Sequence, residues 1–376
     1  GSEMCIRDST NTIIIGGGQA GLAMSRCLKD RAIDHVVLER GRVAERWRSE
    51  RWDSLRLLTP NWQTRLPGWS YQGPDPDGFM TMPEVIDYLD EYARSFDAPV
   101  LTSTTVKTLE RFGDGYRVTT DRGVWSCDNV VVATGHCGRP IIPDMADRLP
   151  TDIAQLTPST YRNPGQLLEG GVVVVGASAS GIQLAHEIHA SGRPVTVAVG
   201  RHVRLPRRYR GRDIMAWLDA MGTLDQTIED VFSVEASRKQ PSLQLVGRAD
   251  HGSLDLGILQ ETGVRLVGRA ADVRDGTMHF HDDLSMWTAE ADAKLEKILG
   301  AIDTHIAAKG LDQSNPPARP MSPVAPAPPP ASLNLADAGI TTVVWAVGFS
   351  RSYPWLKVPV LDDRGEIRHH GGVTPS

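Results

Sequence analysis

The stretch "NTIIIGGGQAGLAMSRCL", from Asn11 to Leu28, gives the strongest indication of the fold of this chain. It begins with a buried-strand pattern, passes through Gly16, Gly18 and Gly21 in the spacing Gly-x-Gly-x-x-Gly, and ends in a helical apolar period. Glycines in such a turn let a pyrophosphate approach the backbone, and the free N–H groups of the following helix attract its charge. The stretch therefore predicts a strand, a turn and a helix that hold one dinucleotide.

A second stretch of the same design, "GVVVVGASASGIQLAHEI", runs from Gly171 to Ile188. Its motif is Gly176-x-Ser178-x-x-Gly181, with serine in place of the middle glycine. One such unit is enough for one dinucleotide, so two units predict two nucleotide sites. Strands that alternate with helices predict open, mostly parallel sheets. The predicted fold class is therefore α/β, with two Rossmann-like dinucleotide-binding domains.

The residue that follows the second strand of each unit differs in charge. Glu39 ends the strand "HVVLE", where a carboxylate accepts hydrogen bonds from ribose hydroxyls and repels a 2′-phosphate. Arg201 takes the corresponding place after "VTVAVG", where an arginine pairs with a 2′-phosphate. This difference favours FAD in the first site and NADPH in the second. The alternatives are a solvated strand-end charge at Glu39 and a solvated basic turn at Arg201.

The basic character of the second site extends beyond Arg201. The sequence places further basic side chains nearby: His202, Arg204, Arg207 and Arg208. We expect them to add positive charge around the 2′-phosphate.

Composition excludes several classes of protein. The 376 residues suffice for two or three domains with full cores, and the formal charge of −6 argues against a nucleic-acid partner. The longest apolar runs are strand-sized, far below the ~18 residues of a membrane span, and no secretory signal is evident. The four cysteines contain no Cys-x-x-Cys pair, which favours a reduced compartment. We therefore expect a cytoplasmic protein without a membrane partner, and the oligomeric state stays open, a homodimer being one alternative.

Other stretches predict the elements around the two units. Residues 1–9, "GSEMCIRDS", have no amphipathic pattern and are set aside from the fold prediction. The remaining predictions are a helix at 82–96, a hairpin and buried strand at 116–135, a linker at 136–170, a helix within 212–222, a hairpin at 263–283, a helix at 288–310, a Pro/Ala arm of polyproline character at 315–331 and a buried strand at 341–349. The last strand repeats the pattern of 129–137, with four apolar residues, a small residue and a glycine.

Taken together, these motifs resemble those of the bacterial flavin-containing monooxygenase-like proteins, the class B flavoprotein monooxygenases. The stretches that carry the resemblance are "GGGQAG", "ERWRSERWDSLRLLTPNWQTRLPG", "VVVATGHCGRP", "YRNP", "VVVVGASASGIQLAHEI" and "VVWAVGF". The resemblance extends from Thr12 to the end of the chain. It implies an NADPH-binding domain at 151–332 inserted in an FAD-binding domain at 10–150 and 333–376. It also implies that the chain is a C-terminally truncated fragment, because related chains continue past "GGVT" into a final strand and helix.

The resemblance implies a reaction as well. NADPH reduces FAD, the reduced flavin reacts with O2 to a C4a-peroxyflavin, and a small organic substrate (an amine, a sulfide or a ketone) takes one oxygen atom. Bound NADP⁺ shields the intermediate from water. Because the cofactors carry this chemistry, no metal site is expected, and "HFHDD" at 279–283 is assigned to a solvent-facing hairpin.

The resemblance further implies which residues contact the cofactors. For the first site they are Gly16, Gly18, Gln19, Ala20, Gly21, Glu39, Arg40, Arg46 and Trp47. Thr134, Gly135 and Gly348 are further cofactor contacts that are not assigned to one site. For the NADPH site they are Gly176, Ser178, Ser180, Gly181 and Arg201. Asn61, in "TPNW", is the candidate catalytic residue beside the flavin C4a carbon, with a turn-forming asparagine as the alternative.

The chain departs from the family in one fingerprint. Ahead of the second domain that fingerprint reads Phe-x-Gly-x-x-x-His-x-x-x-Tyr/Phe-Lys/Arg. Its end survives here as Tyr161 and Arg162, whereas the first three positions hold Thr151, Ile153 and Thr157. Gln155, inside this segment, is interpreted equally well as structural or functional.

Three other functions stay open. A pyridine-nucleotide disulfide reductase has the same two motifs but needs a redox-active cysteine pair. An NADPH oxidase would release peroxide in place of oxygenating a substrate. A cofactor-binding fragment would have no activity.

Overall fold

A computed structural model describes residues 6–238, 240–318, 321, 323, 324 and 329–375. The strands of its first part are β1 (Ile6–Ile15), β2 (His35–Leu38), β3 (Arg65–Leu66), β4 (Trp69–Ser70), β5 (Val100–Leu101), β6 (Val106–Phe112), β7 (Gly115–Thr120) and β8 (Gly123–Val132). Those of its second part are β9 (Arg139–Pro140), β10 (Ala154–Leu156), β11 (Gly171–Val175), β12 (Val195–Ala198), β13 (Val203–Arg204), β14 (Arg208–Tyr209), β15 (Arg212–Asp213), β16 (Leu243–Gln244), β17 (Arg265–Val267), β18 (Ala270–Arg274), β19 (Thr277–Phe280), β20 (Ser332–Asn334), β21 (Ile340–Trp345) and β22 (Phe349–Ser350).

The α-helices of the described residues are α1 (Gln19–Lys29), α2 (Glu45–Ser49), α3 (Met82–Ser95), α4 (Ala179–Ala190), α5 (Ile214–Ala220), α6 (Val234–Arg238), α7 (Leu256–Glu261) and α8 (Leu284–Ala308). The predicted helix at 82–96 is confirmed as α3, which begins at a capping box formed by Thr81 and Glu84. The predicted helix at 288–310 is confirmed as α8, which begins four residues earlier, at Leu284. None of these helices is long and apolar enough to cross a membrane.

The first large sheet has the strand order β5-β2-β1-β8-β7-β6. Strands β5, β2, β1 and β8 run parallel, and β7 and β6 continue from β8 as an antiparallel meander. Helix α1 connects β1 to β2, as a dinucleotide-binding unit requires. The predicted hairpin and strand at 116–135 are therefore confirmed as β7 and β8, but the strand is only partly buried, with Val130, Val131 and Val132 half-buried.

The expectation that residues 1–9 lie outside the fold is wrong for residues 6–9, which the structure describes as part of a strand. Strand β1 begins at Ile6, and Asp8, Ser9 and Thr10 pair in parallel with Trp125, Ser126 and Cys127. The polar stretch is extended because the long strand β8 offers it backbone hydrogen bonds, which need no amphipathic pattern.

The second large sheet is parallel throughout, with the order β10-β21-β11-β12-β17. Strand β11 lies between β21 and β12, just as β1 lies between β8 and β2 in the first sheet. All five residues of β11 are buried, because helices and loops cover both faces of this sheet. The α/β fold class with two Rossmann-like sheets is thus confirmed.

The sheet to which β10 and β21 belong helps to define the domain boundaries. Strand β21 lies in the second sheet, so we propose that the chain returns to the first domain after Trp345 and not at 333. Beyond that point Leu356 and Val358 pack in one core cluster with Ile13 of β1. The predicted linker at 136–170 also contains a strand, β10, because β21 leaves an edge that three residues can pair with.

Two other predicted segments differ in detail. The hairpin at 263–283 divides into β17, at the edge of the second sheet, and the hairpin β18–β19, which pairs with β20. The Pro/Ala arm at 315–331 lies partly outside the described residues, at 319, 320, 322 and 325–328.

Candidate functional site

The glycine loop between β1 and α1 is shaped by contacts within the chain. Gly16 has a φ of +115°, and a Cβ atom on it would overlap the carbonyl oxygen of Ala133. A Cβ atom on Gly21 would overlap the carbonyl oxygen of Gly16. These two glycines are therefore required for α1 to pack against the sheet, whether or not a ligand is bound.

Gly18 differs from its two neighbours in the motif. Its φ is −92°, which any residue adopts, and a Cβ atom on it would meet no described atom within 4 Å other than those of the adjacent residues. Nothing in the described chain thus requires glycine here, and the open space is what a pyrophosphate pressed against the backbone would need. Gln19 and Ala20 begin α1 as exposed residues, and no described side chain caps this helix. The helix therefore offers uncapped N–H groups to an anion.

Glu39 lies against the same loop. Its carboxylate accepts hydrogen bonds from the backbone N–H groups of Gly17, at 2.7 Å, and Gly41, at 2.8 Å. The side chain is buried, so the carboxylate joins the end of β2 to the turn after β1. Arg40 is exposed and forms an ion pair with Glu50 at 3.2 Å.

Four further predicted contacts lie on segments next to this loop. Thr134 follows β8, and its Cα lies 3.4 Å from the position of a Cβ atom on Gly16. Gly135 has a φ of +73° and open space around it. Arg46 in α2 donates to the carbonyl oxygen of Cys137, and the half-buried Trp47 packs on the core beneath α3. These contacts hold α2 beside the segment that follows β8.

The second loop repeats the geometry of the first. Gly176 has a φ of +111°, its Cβ atom would overlap the carbonyl oxygen of Ala346, and that of Gly181 would overlap Gly176. Ser178 precedes α4 in extended backbone, Ser180 lies in its first turn, and no described side chain caps α4. Gly348 follows β21 as Gly135 follows β8, with a φ of +104° and open space. The two loops therefore have matching backbone geometry, each followed by an uncapped helix.

Arg201 lies three residues beyond the end of β12. The strand pairing places Val199 where Glu39 lies in the first unit, because Ala198 pairs with Val175 as Leu38 pairs with Ile15. The expectation that Arg201 takes the place of Glu39 was therefore wrong by two residues, since the turn after β12 carries the arginine further from the strand. The Nε atom of Arg201 donates to Oε1 of Glu290 in α8 at 3.1 Å, and 42% of the Arg201 side chain is exposed. The guanidinium is thus accessible and already lies beside an acidic side chain.

Two of the other predicted cations are not part of an exposed basic surface. Arg204 is buried and forms ion pairs with Asp292 at 3.0 Å and Asp255 at 3.3 Å. Arg207 is 1% exposed and forms an ion pair with Asp213 at 2.5 Å. The expectation that they add charge near the 2′-phosphate was wrong, because their charges are balanced inside the protein. Burial also lowers the pKa of the His202 imidazole below its usual value, so this side chain is neutral at neutral pH. Of the four predicted basic residues, Arg208 is the one that is exposed.

The structure favours the turn-forming alternative for Asn61. Its side-chain oxygen accepts from the N–H of Met80, and its amide nitrogen donates to the carbonyl of Asp75, both at 2.9 Å. The side chain is buried and closes the loop from Asp75 to Met80. We therefore replace the catalytic assignment with a structural one. Gln155 is also structural, since its oxygen accepts from the indole N–H of Trp345 at 2.9 Å.

One residue beside the second loop was missed by the sequence analysis. The side chain of Gln244 is fully buried and donates to the carbonyl oxygen of Ala177, inside the glycine motif. This hydrogen bond therefore helps to hold the backbone of the second glycine loop in place. Because 67 residues separate the two along the chain, no local pattern could have indicated the contact.

A cavity of about 410 Å³ opens where the two halves of the chain meet, next to Trp62. It is lined by side chains of both halves, among them Trp62, Asp77, Arg208, Arg212 and His251. Its size suits a small organic molecule. Across the described residues, no group of three or more His, Cys, Asp or Glu side chains is arranged to hold a metal ion.

Comparison with known proteins shows which family and which solved structures this chain resembles. A family model described as pyridine nucleotide-disulphide oxidoreductase matches residues 13–221. An uncharacterized CzcO-like oxidoreductase of Geobacillus kaustophilus is 30% identical over 97% of this chain and 88% of its own length. Indole-3-pyruvate monooxygenase YUCCA6 of Arabidopsis thaliana is 29% identical over 71% of this chain and 67% of its own. A solved flavin-containing monooxygenase from Stenotrophomonas maltophilia has the same fold, with a TM-score of 0.62, 20% identity, and coverage of 97% of this chain and 86% of that one.

Proposed function

Since this chain belongs to the pyridine nucleotide-disulphide oxidoreductase family, and is an oxidoreductase, we propose that it is an FAD- and NADPH-dependent monooxygenase. It transfers one oxygen atom of O2 to a small organic substrate. The observation that carries the proposal is the pair of matching glycine loops with opposite charges shortly after the second strand of each unit, Glu39 in the first and Arg201 in the second. Two loops of one design with opposite charges serve two different nucleotides.

The residues of the chain have distinct tasks in this proposal. The loop at Gly16–Gly21 and the N-terminus of α1 hold the FAD pyrophosphate, and Glu39 holds the adenosine ribose. The loop at Gly176–Gly181 and Arg201 hold NADPH. The bound flavin supplies hydride acceptance and oxygen activation. The cavity beside Trp62 is the proposed place for the substrate.

The cysteines argue against disulfide reduction. No Cys-x-x-Cys pair occurs in the sequence, and Cys27, Cys127 and Cys137, the described cysteines, are free thiols. Burial raises the pKa of the Cys127 thiol to about 11, so it stays protonated and unreactive at neutral pH. Monooxygenation, which needs no protein thiol, is therefore preferred.

An isotope experiment tests oxygen transfer directly. The FAD-loaded protein is supplied with NADPH, ¹⁸O2 and a panel of amines, sulfides and ketones, to which the name of the YUCCA6 relative adds indole-3-pyruvate. We expect a product that contains one ¹⁸O atom by mass spectrometry and NADPH consumption that matches product formation. Stoichiometric peroxide with every substrate, and no labelled product, would favour the NADPH oxidase alternative.

The coenzyme preference gives a separate prediction for Arg201. A charge-assisted hydrogen bond contributes roughly 1.5–3 kcal/mol. We expect the lower end, because Arg201 gives up its ion pair with Glu290 to bind the phosphate. Arg201→Ala should therefore raise the KM for NADPH by about tenfold and leave the KM for NADH nearly unchanged. Steady-state kinetics with both coenzymes measure this.

Arg274→Ala is the matched control, because it removes another exposed, ion-paired arginine that does not line the cavity beside Trp62. It should change neither KM appreciably. If Arg201→Ala weakens both coenzymes equally, Arg201 does not bind the 2′-phosphate.

A further inference from the structure

Glu290 lies between two cations. It accepts from Nε of Arg201 at 3.1 Å and from Nζ of Lys294 at 2.6 Å, through the same oxygen, Oε1. Lys294 is one helical turn beyond Glu290 in α8. The three side chains are partly exposed, with 42%, 35% and 27% of Arg201, Glu290 and Lys294 accessible. One carboxylate therefore occupies a position where two cations converge.

Buried residues next to Arg201, Glu290 and Lys294 fix the positions of these three side chains. Ala291 and Leu295 bury the adjacent face of α8. Asp292, two residues from Glu290, forms an ion pair with the buried Arg204 in β13, three residues beyond Arg201. The helix is thus attached to the segment that carries Arg201, so the position of Lys294 relative to Arg201 follows from core packing.

We infer that Lys294 is a second ligand of the coenzyme 2′-phosphate, and that Glu290 occupies the place of that phosphate between the two cations until the coenzyme displaces it. The inference rests on the proposed function of the second site. A phosphate monoester carries about −1.5 to −2 charges and three acceptor oxygens, whereas a carboxylate carries one charge and two oxygens. The phosphate therefore replaces Glu290 at the two cations.

Glu290 then acts as a competitor of the coenzyme. Lys294, and to a lesser degree Arg201, lower the pKa of Glu290, so its carboxylate stays ionised near neutral pH and repels the incoming phosphate. Removal of the Glu290 charge should tighten the binding of nucleotides that carry a 2′-phosphate. It should leave the binding of nucleotides without a 2′-phosphate unchanged. Glu290 and Lys294 would together set the discrimination between NADPH and NADH.

Nucleotide binding tests the inference without relying on turnover. Isothermal titration calorimetry measures the Kd of adenosine 2′,5′-bisphosphate and of 5′-AMP at low salt, with saturating FAD to fill the first site. An exposed or half-exposed charge pair contributes up to about 1 kcal/mol, or fivefold in Kd. We expect Lys294→Met to weaken the bisphosphate about three- to fivefold and Glu290→Gln to tighten it by a similar factor. Neither should change the Kd of 5′-AMP, and both effects should shrink at high salt.

Two matched controls come from the same helix. Lys297→Met and Glu296→Gln make the same charge changes at exposed positions on α8 and should leave both Kd values unchanged. If Lys294→Met leaves the bisphosphate Kd unchanged, or shifts it no more than Lys297→Met does, the inference is wrong although the second site still binds nucleotides. If the unmodified protein binds neither nucleotide, the proposed function of the site fails, and the inference fails with it.

Discussion

Gly18→Val is expected to give a protein that folds normally and contains no FAD. The valine Cβ enters open space above the turn, where no described atom other than those of the adjacent residues lies within 4 Å of it. The backbone at this position is extended, with a φ of −92°, so a β-branched residue fits without strain. The pyrophosphate of the proposed cofactor needs the same space, and its Kd should rise at least about 100-fold, since overlap with a rigid loop cannot relax.

Flavin absorbance after gel filtration measures the FAD content of the variant. The thermal midpoint of the apoprotein measures whether the variant folds normally. Gly18→Ala is the graded control and should retain part of the flavin. Gly21→Ala is the opposite case, because its Cβ atom overlaps the carbonyl of Gly16 and should destabilise the apoprotein itself. A Gly18→Val protein that retains stoichiometric FAD would show that the first loop does not hold the pyrophosphate.

The second large effect is on stability. Arg207→Ala should lower the free energy of unfolding by about 3–5 kcal/mol, the usual cost of removing one partner of a buried ion pair. The Arg207 guanidinium donates to Asp213 at 2.5 Å and to the carbonyl of Leu58 at 2.7 Å. It also lies 4.8 Å from the centroid of the Phe79 ring. Leu58 and Phe79 belong to the first part of the chain, so the truncation should also loosen the contact between the two halves.

Urea unfolding followed by circular dichroism measures the change. Arg208→Ala is the matched control, because the neighbouring side chain is exposed and donates to the carbonyl of Gly211. Its effect should be within about 0.5 kcal/mol. Arg207→Met separates packing from charge: it restores most of the buried volume and leaves Asp213 without its ion pair. Equal stability of the Arg207→Ala and Arg208→Ala proteins would contradict the role assigned to Arg207.

Much of the fold was predictable because the decisive signals are local. A strand, a glycine turn and a helix lie within about 20 consecutive residues, and each is recognised from neighbouring side chains. The two units were therefore correctly located, and the resemblance of "VVWAVGF" to "VVVATG" identified β21 as a strand. Which sheet β21 joins was not local information. It depends on its pairing with β11, which lies far away along the chain.

The α/β class, the two glycine loops, and the placement of Glu39 and Arg201 after the second strand of each unit follow from local sequence patterns. Which other polar residues are available to a ligand depends on how the chain packs. Asn61, Arg204 and Arg207 carry the same functional groups as a binding site, yet all three are buried and bonded within the chain. The Arg201–Glu290–Lys294 cluster likewise exists because α8 packs beside β13. The reason is that burial and ion pairing depend on distances between segments remote in sequence, and no local pattern of residue types specifies those distances.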